Sequence, residues 1–160
     1  YEIASCLVGS EMCIRDRVCA VARSDMAIIG NIGDSRAYHI TPEGIFQISR
    51  DHSVVENMVA KGDLTPLEAR THPNRNLITR ALGPDIHAKA DAFELPWHKD
   101  EFLLLCSDGL VNTVSDQEML FEVLHDGDVN ECLDHLLQIS LQRGAPDNIT
   151  AVLLLNEEGR

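Results

Sequence analysis

Three aspartates stand out by position. Asp34 falls within Asn31-Ile32-Gly33-Asp34-Ser35-Arg36, Asp108 follows Phe102-Leu103-Leu104-Leu105-Cys106-Ser107, and Asp147 lies in Ala145-Pro146-Asp147-Asn148-Ile149-Thr150. Each borders an apolar, strand-like run beside Gly, Pro or Asn, so each would be held at the lip of a rigid element where a carboxylate can be aimed at a ligand. If the strands are neighbours in one sheet, the three carboxylates converge. Converged carboxylates do not all stay ionised without a cation, and an oxygen-only donor set suits Mg²⁺ or Mn²⁺. Two such ions ~4 Å apart can activate a bridging water and clamp a phosphate ester. Taken from spacing alone, each position has a structural alternative: an Asp-Gly turn after the strand at 102–106, a bulge at Gly33, and an ion pair between Asp34 and Arg36.

Other chemistries find less support. Ser107 with His52 and Asp51 contains the residue types of a hydrolytic triad, but no nucleophile-elbow pattern flanks Ser107. The seven histidines (39, 52, 72, 87, 98, 125 and 135) lack the i, i+4 spacing of a zinc helix. No Gly-rich phosphate loop is present. No side chain is therefore assigned as a nucleophile or other catalytic group. Arg75 and Arg80 lie where they could meet a phosphorylated partner, with a solvated or ion-paired role as the alternative. The formal charge of −13 argues against a nucleic-acid partner. Five cysteines without a CxxC pair point to a reducing, cytoplasmic setting. No apolar run approaches the ~20 residues of a membrane span, so no membrane partner is expected.

The elements that must position these residues follow from periodicity. Residues 1–17, YEIASCLVGSEMCIRDR, show no clean period of 2 or 3.6, and regular text begins at Val18. This opening is expected to be a non-native segment, adapter-derived translation joined to a truncated gene. Residues 18–49 predict four strands in one antiparallel meander. Ser53-Val54-Val55-Glu56 and Thr65-Pro66-Leu67-Glu68 are helix starts, Gly62 is a stop, and Leu77–Leu82 is a short amphipathic run ending at Gly83-Pro84. Residues 50–84 thus predict a helical insertion able to cover a site as a flap, or equally to connect two sheets. Strands are expected over 88–95, 102–106 and 151–155, with helices opening at Ser115 and Asp128.

Five blocks occur in order: NIGDSRAY at 31–38, DHSVVENMVAKGDLT at 51–65, HPNRNLITRALG at 72–83, SDGL at 107–110 and APDNITAVLL at 145–154. Together they resemble the metal-dependent serine/threonine protein phosphatase family, type 2C (PPM), in its bacterial form, over residues 18–156. The resemblance implies an α+β fold, here the C-terminal part of a four-layer α/β/β/α sandwich of two antiparallel sheets flanked by helices. It implies that Asp108 and Asp147 bind a pair of Mn²⁺ or Mg²⁺ ions and that Asp34 contributes to a third, weaker site. It further implies hydrolysis of phosphoserine and phosphothreonine by metal-bound water, with phosphorylated proteins, including a serine/threonine kinase, as partners. The family's Asp-Gly-Met-Gly-Gly motif, whose Asp bridges the two metals, has no counterpart in this sequence, and the phosphate-contacting Arg upstream of it is also missing. The chain itself is therefore expected to bind metal weakly and turn over poorly. The alternative is a non-catalytic, phosphatase-like module that binds a kinase or phosphoprotein through residues 50–84.

Overall fold

The computed structural model describes residues 16–83, 87–125 and 128–158, with the backbone alone of 2–7. Two antiparallel four-stranded sheets pack face to face. One has the order β1-β2-β3-β6 and the other β5-β4-β7-β8. The strands are β1 (Glu2–Leu7), β2 (Arg17–Ala22), β3 (Met26–Ile32), β4 (Arg36–Thr41), β5 (Gly44–Gln47), β6 (Asp91–Pro96), β7 (Phe102–Cys106) and β8 (Ala151–Leu155). Alternation in β2 places Val18, Ala20 and Ala22 inward, where they meet Ala27 and Ile29 of β3 and Leu103 and Leu105 of β7 in the core between the sheets. A second core lies on the other face of β7. There Leu104 and Cys106 pack with Leu110, Val114, Met119, Val123, Cys132 and Leu136. The run at 102–106 is apolar at every position because β7 is covered on both faces.

The helices are α1 (Val54–Lys61), α2 (Pro66–Thr71), α3 (Asp108–Val111), α4 (Asp116–His125) and α5 (Val129–Gln142). Their starts follow the sequence signals. The Ser53 hydroxyl accepts from the Glu56 amide, Thr65 and Glu68 form a reciprocal capping box ahead of Pro66, and the Asp128 carboxylate accepts from the Asn130 amide. Gly62 closes α1 in the left-handed region at φ 81°.

Five sequence expectations are corrected. Residues 18–49 do not form one meander: β2 and β3 are a hairpin in one sheet, whereas β4 and β5 are a hairpin in the other. The chain changes sheets at Gly33-Asp34-Ser35, which local propensity cannot distinguish from a hairpin turn. Residues 77–82 form no helix. Ile78 makes an isolated bridge to Ser53, and the Leu77 carbonyl accepts from the Val54 amide, so tertiary pairing overrides the short amphipathic pattern. Residues 88–90 lie outside β6. Asp108 opens the short helix α3 instead of standing in an Asp-Gly turn. Regular structure also begins earlier than Val18: β1 pairs along its length with β2, from Glu2 opposite Ala22 to Leu7 opposite Arg17. Tyr1 and residues 8–15, the rest of the expected non-native segment, lie outside the described residues, as does the Pro84 stop. Among the described residues, no helix is long and apolar enough to cross a membrane.

Candidate metal centre

Strand register assembles the site. Arg36 of β4 pairs with Cys106 of β7, so Asp34 and Asp108, each two residues beyond that pair, lie at the same end of the sheet, close enough for their charges to interact. Cys106 also pairs with Ala151 of β8, which brings the segment carrying Asp147 to the same end of the sheet. In the other sheet Arg17 pairs with Ile32, so Asp16 falls beside Gly33 at the sheet-changing corner. Four aspartates from four separate stretches thus collect at one end of the sandwich.

Two glycines permit the close approach. Gly33 has φ 107°, and a Cβ there would lie 2.5 Å from Cβ, Cγ and Oδ1 of Asp16. A Cβ on Gly109 would collide with the Asn148 carbonyl. The Asp108 and Asp147 segments are clipped together at the same point by Ser107. Its hydroxyl donates to the Asn148 carbonyl at 3.2 Å and accepts from the Thr150 amide at 3.0 Å, while its own amide donates to the Thr150 carbonyl at 3.0 Å. Ser107 is buried and committed to this clip, which removes the serine nucleophile considered from sequence.

The electrostatics are those of a site short of positive charge. Burial, reinforced by Asp34 and Asp147, pushes Asp108 up to about 6. Burial raises both Asp16 and Asp34, reinforced by the charge of Asp108 at Asp16 and by those of Asp16 and Asp51 at Asp34. Arg36 does not neutralise Asp34. Its guanidinium grips Asp51 instead, Nε lying 3.0 Å from both carboxylate oxygens and Nη2 2.7 Å from Oδ2. The ion pair expected as an alternative at Asp34 therefore forms one residue set away. Asp16 Oδ1, Asn31 Oδ1 and Ser35 Oγ are buried without a hydrogen-bond partner, all at this corner.

Orphaned oxygens and carboxylates raised by burial fit the donor chemistry of a hard divalent cation. Among the described residues no three His, Cys, Asp or Glu close on a single ion, so the carboxylates gather without forming a finished ligand set. A groove of about 620 Å³ opens beside the cluster. Asp34 and Asp108 line it on one side, and Ser53, Val55, Pro66 and Asn76 of the 50–84 segment line it on another. Sequence reasoning missed Asp16, because its neighbours belong to an irregular stretch. The signal available was its position at the edge of a strand-like run, the trait shared by the other three. It also missed Asp91, which His52 meets at 3.0 Å.

No protein-family model matches the chain. Individual proteins do. The serine/threonine phosphatase Stp of Listeria monocytogenes is 34% identical over 146 residues, an alignment covering 89% of this chain and 58% of the relative. The crystal structure of the serine/threonine phosphatase Stp1 from Staphylococcus aureus superposes with a TM-score of 0.84 at 40% identity, covering 88% of this chain and 55% of that one. The catalytic domain of the phosphatase PstP in complex with two manganese ions superposes with a TM-score of 0.75 at 32% identity, covering 86% and 56%. The chain thus spans less than two thirds of the length of these relatives. By sequence and by architecture, it belongs to the bacterial PPM-type serine/threonine phosphatase family.

Proposed function

We propose that residues 18–156 are the C-terminal part of a protein phosphatase domain that hydrolyses phosphoserine and phosphothreonine with metal-activated water. The observation that supports this reading is the strand register that brings Asp34, Asp108 and Asp147 to one end of the sheet, with Asp108 raised to about 6 by burial and then by the charges of Asp34 and Asp147. In this reading Asp108 and Asp147 hold Mn²⁺ or Mg²⁺, two ions in the complete domain, and Asp34 serves a third site. The bound metal would supply Lewis acidity and a hydroxide-like water at neutral pH. The protein's own residues gather the charge, keep the carboxylates in place through Gly33, Gly109 and Ser107, and offer the groove to the substrate. The helical segment at 50–84 is the flap of that groove, an assignment supported by the lining residues it contributes. Phosphorylated proteins are the substrates, a serine/threonine kinase among them. Five cysteines that form no CxxC pair agree with a cytoplasmic setting.

The bridging Asp-Gly-Met-Gly-Gly motif is absent from the sequence. Asp16 adds a carboxylate to the cluster, but its flanks, Arg15 and Arg17, do not match that motif. The chain by itself is therefore proposed to bind metal weakly and hydrolyse slowly. The test joins the N-terminal portion of the Listeria relative, the part this chain does not cover, ahead of Val18. Hydrolysis of a chromogenic phosphate ester by this fusion should require Mn²⁺, and Asp108→Asn should reduce it at least ~100-fold. Equal rates for the fusion and its Asp108→Asn form would remove Asp108 from the mechanism. A folded fusion that binds phosphopeptide without hydrolysing the ester would favour the non-catalytic module.

A further inference from the structure

Gly33, the residue before Asp34, is held by His52 at two points. The His52 amide donates to the Gly33 carbonyl at 2.8 Å, and the Gly33 amide donates to His52 Nδ1 at 3.1 Å. His52 is buried, and its other ring nitrogen, Nε2, lies 3.0 Å from Asp91 Oδ2 on β6. Arg80 completes the set: its Nη1 donates to Asp91 Oδ1 at 2.7 Å and lies 3.1 Å from His52 Nε2. An Nδ1 that accepts from an amide carries a lone pair, so the ring proton belongs on Nε2, where it is donated to Asp91. The Arg80 guanidinium keeps Asp91 ionised as the acceptor: the bond from His52 and the charge of Arg80 together hold Asp91 below the ordinary aspartate range. One backbone position beside an acidic cluster is thus fixed by a buried imidazole, whose tautomer is set by residues 28 and 39 positions away in the chain.

We propose that His52 is a positioning residue for Asp34, with Asp91 and Arg80 fixing its tautomer, so that cation affinity at the cluster depends on the Nδ1 acceptor. This rests on reading Asp34 as a metal ligand. Outer-shell partners that orient ligands typically change metal affinity by about 10–100-fold when lost. The link also ties the 50–84 segment to the metal corner, since Arg80 and His52 both belong to it and the His52 carbonyl accepts from the Thr79 amide at 2.7 Å.

Two substitutions separate the halves of the arrangement. In His52→Asn the side-chain oxygen can occupy the Nδ1 position and keep an acceptor for Gly33 while losing Asp91. In His52→Gln the amide reaches the Nε2 position and keeps Asp91 while losing the Gly33 acceptor. Both remove a buried ring, so both should lower Tm. The readouts are the exchange rate of the Gly33 amide by NMR and the Mn²⁺ dissociation constant by titration calorimetry, on the 160-residue chain. His52→Gln should accelerate Gly33 exchange and weaken Mn²⁺ binding about 10-fold, whereas His52→Asn should leave both near wild type. Equal Gly33 exchange in the two variants, or Mn²⁺ affinities that simply track their Tm, would overturn the proposal. If Asp34→Ala leaves the Mn²⁺ affinity unchanged, the ligand reading fails and the proposal with it, whereas altered affinity in Asp34→Ala with equal affinities in the two His52 variants overturns the positioning role alone.

Discussion

Asp34 is the residue at which fold and charge are most opposed. It is raised by burial, by Asp16 and by Asp51, and Arg36, two residues on, is committed to Asp51. A carboxylate in that position costs the metal-free fold free energy whenever it must ionise. Asp34→Asn keeps the shape and removes the charge, so it should stabilise the metal-free chain at pH 8 by about 1 kcal/mol and shrink the gain in Tm on adding Mn²⁺. Thermal melts of both proteins with EDTA and with Mn²⁺ check this. A lower Tm for the metal-free variant would show that Asp34 is held by favourable bonds and not strained by repulsion. This residue was legible in the sequence through its Gly33 neighbour and its place between two strands, whereas Asp16 was not. Nothing in Ile14-Arg15-Asp16-Arg17 marks a burial site, and Asp16 becomes a member of the cluster only because the β2–β3 ladder ends beside Gly33.

At the scale of elements, β7 is the shared partner of β4 and β8, and its entry is held by Glu101. The Glu101 carboxylate accepts from the His98 amide at 2.7 Å and faces His39 Nε2 of β4 at 2.8 Å. Burial pushes Glu101 up, but these two contacts outweigh it and hold the group below the ordinary glutamate value of 4.5. A carboxylate depressed in the folded state binds fewer protons there than in the unfolded chain. Its contribution to stability is therefore complete above that value and is lost as pH falls through the lower, folded one. Glu101→Gln should flatten the fall in Tm between about pH 5 and pH 3 and matter less to that slope at neutral pH, as a pH series of melts would show. An unchanged acid limb would place the acid sensitivity elsewhere. Helix starts were the most readable elements, because caps act over three or four residues. The hairpin structure of 18–49 was half readable: strand content is local, but the assignment of β3 and β4 to different sheets depends on β6 and β7, more than fifty residues away.

For the whole molecule, the acidic end of the sandwich is the proposed binding site for cations. A divalent ion that binds the folded chain and not the unfolded one stabilises it by mass action, about 2.7 kcal/mol when present at 100 times its dissociation constant. Mn²⁺ should raise the Tm of the 160-residue chain progressively with concentration, EDTA should reverse the change, and Asp108→Asn should reduce it. A Tm insensitive to Mn²⁺ up to millimolar concentration would leave the cluster without its proposed occupant. The two cores differ in cover. The core around α3, α4 and α5 is closed by helices, whereas Val21 and Ile28 on the β1-β2-β3-β6 sheet are substantially exposed.

The amino-acid order alone determined the strands and helix caps, the burial of β7 on both faces, and the trait shared by Asp34, Asp108 and Asp147 of standing at the edge of an apolar run. These are local properties, written in side-chain period and in the residues that stop a strand or start a helix. Tertiary structure decided that β3 and β4 part into different sheets, that Arg36 is spent on Asp51, that Asp16 joins the acidic group, and that His52 holds Gly33. Each of these depends on ladders and contacts between distant segments. Backbone pairing is chemically the same for any two strands, so the choice of partner, and with it the company each aspartate keeps, is settled by how the two sheets bury their faces against each other.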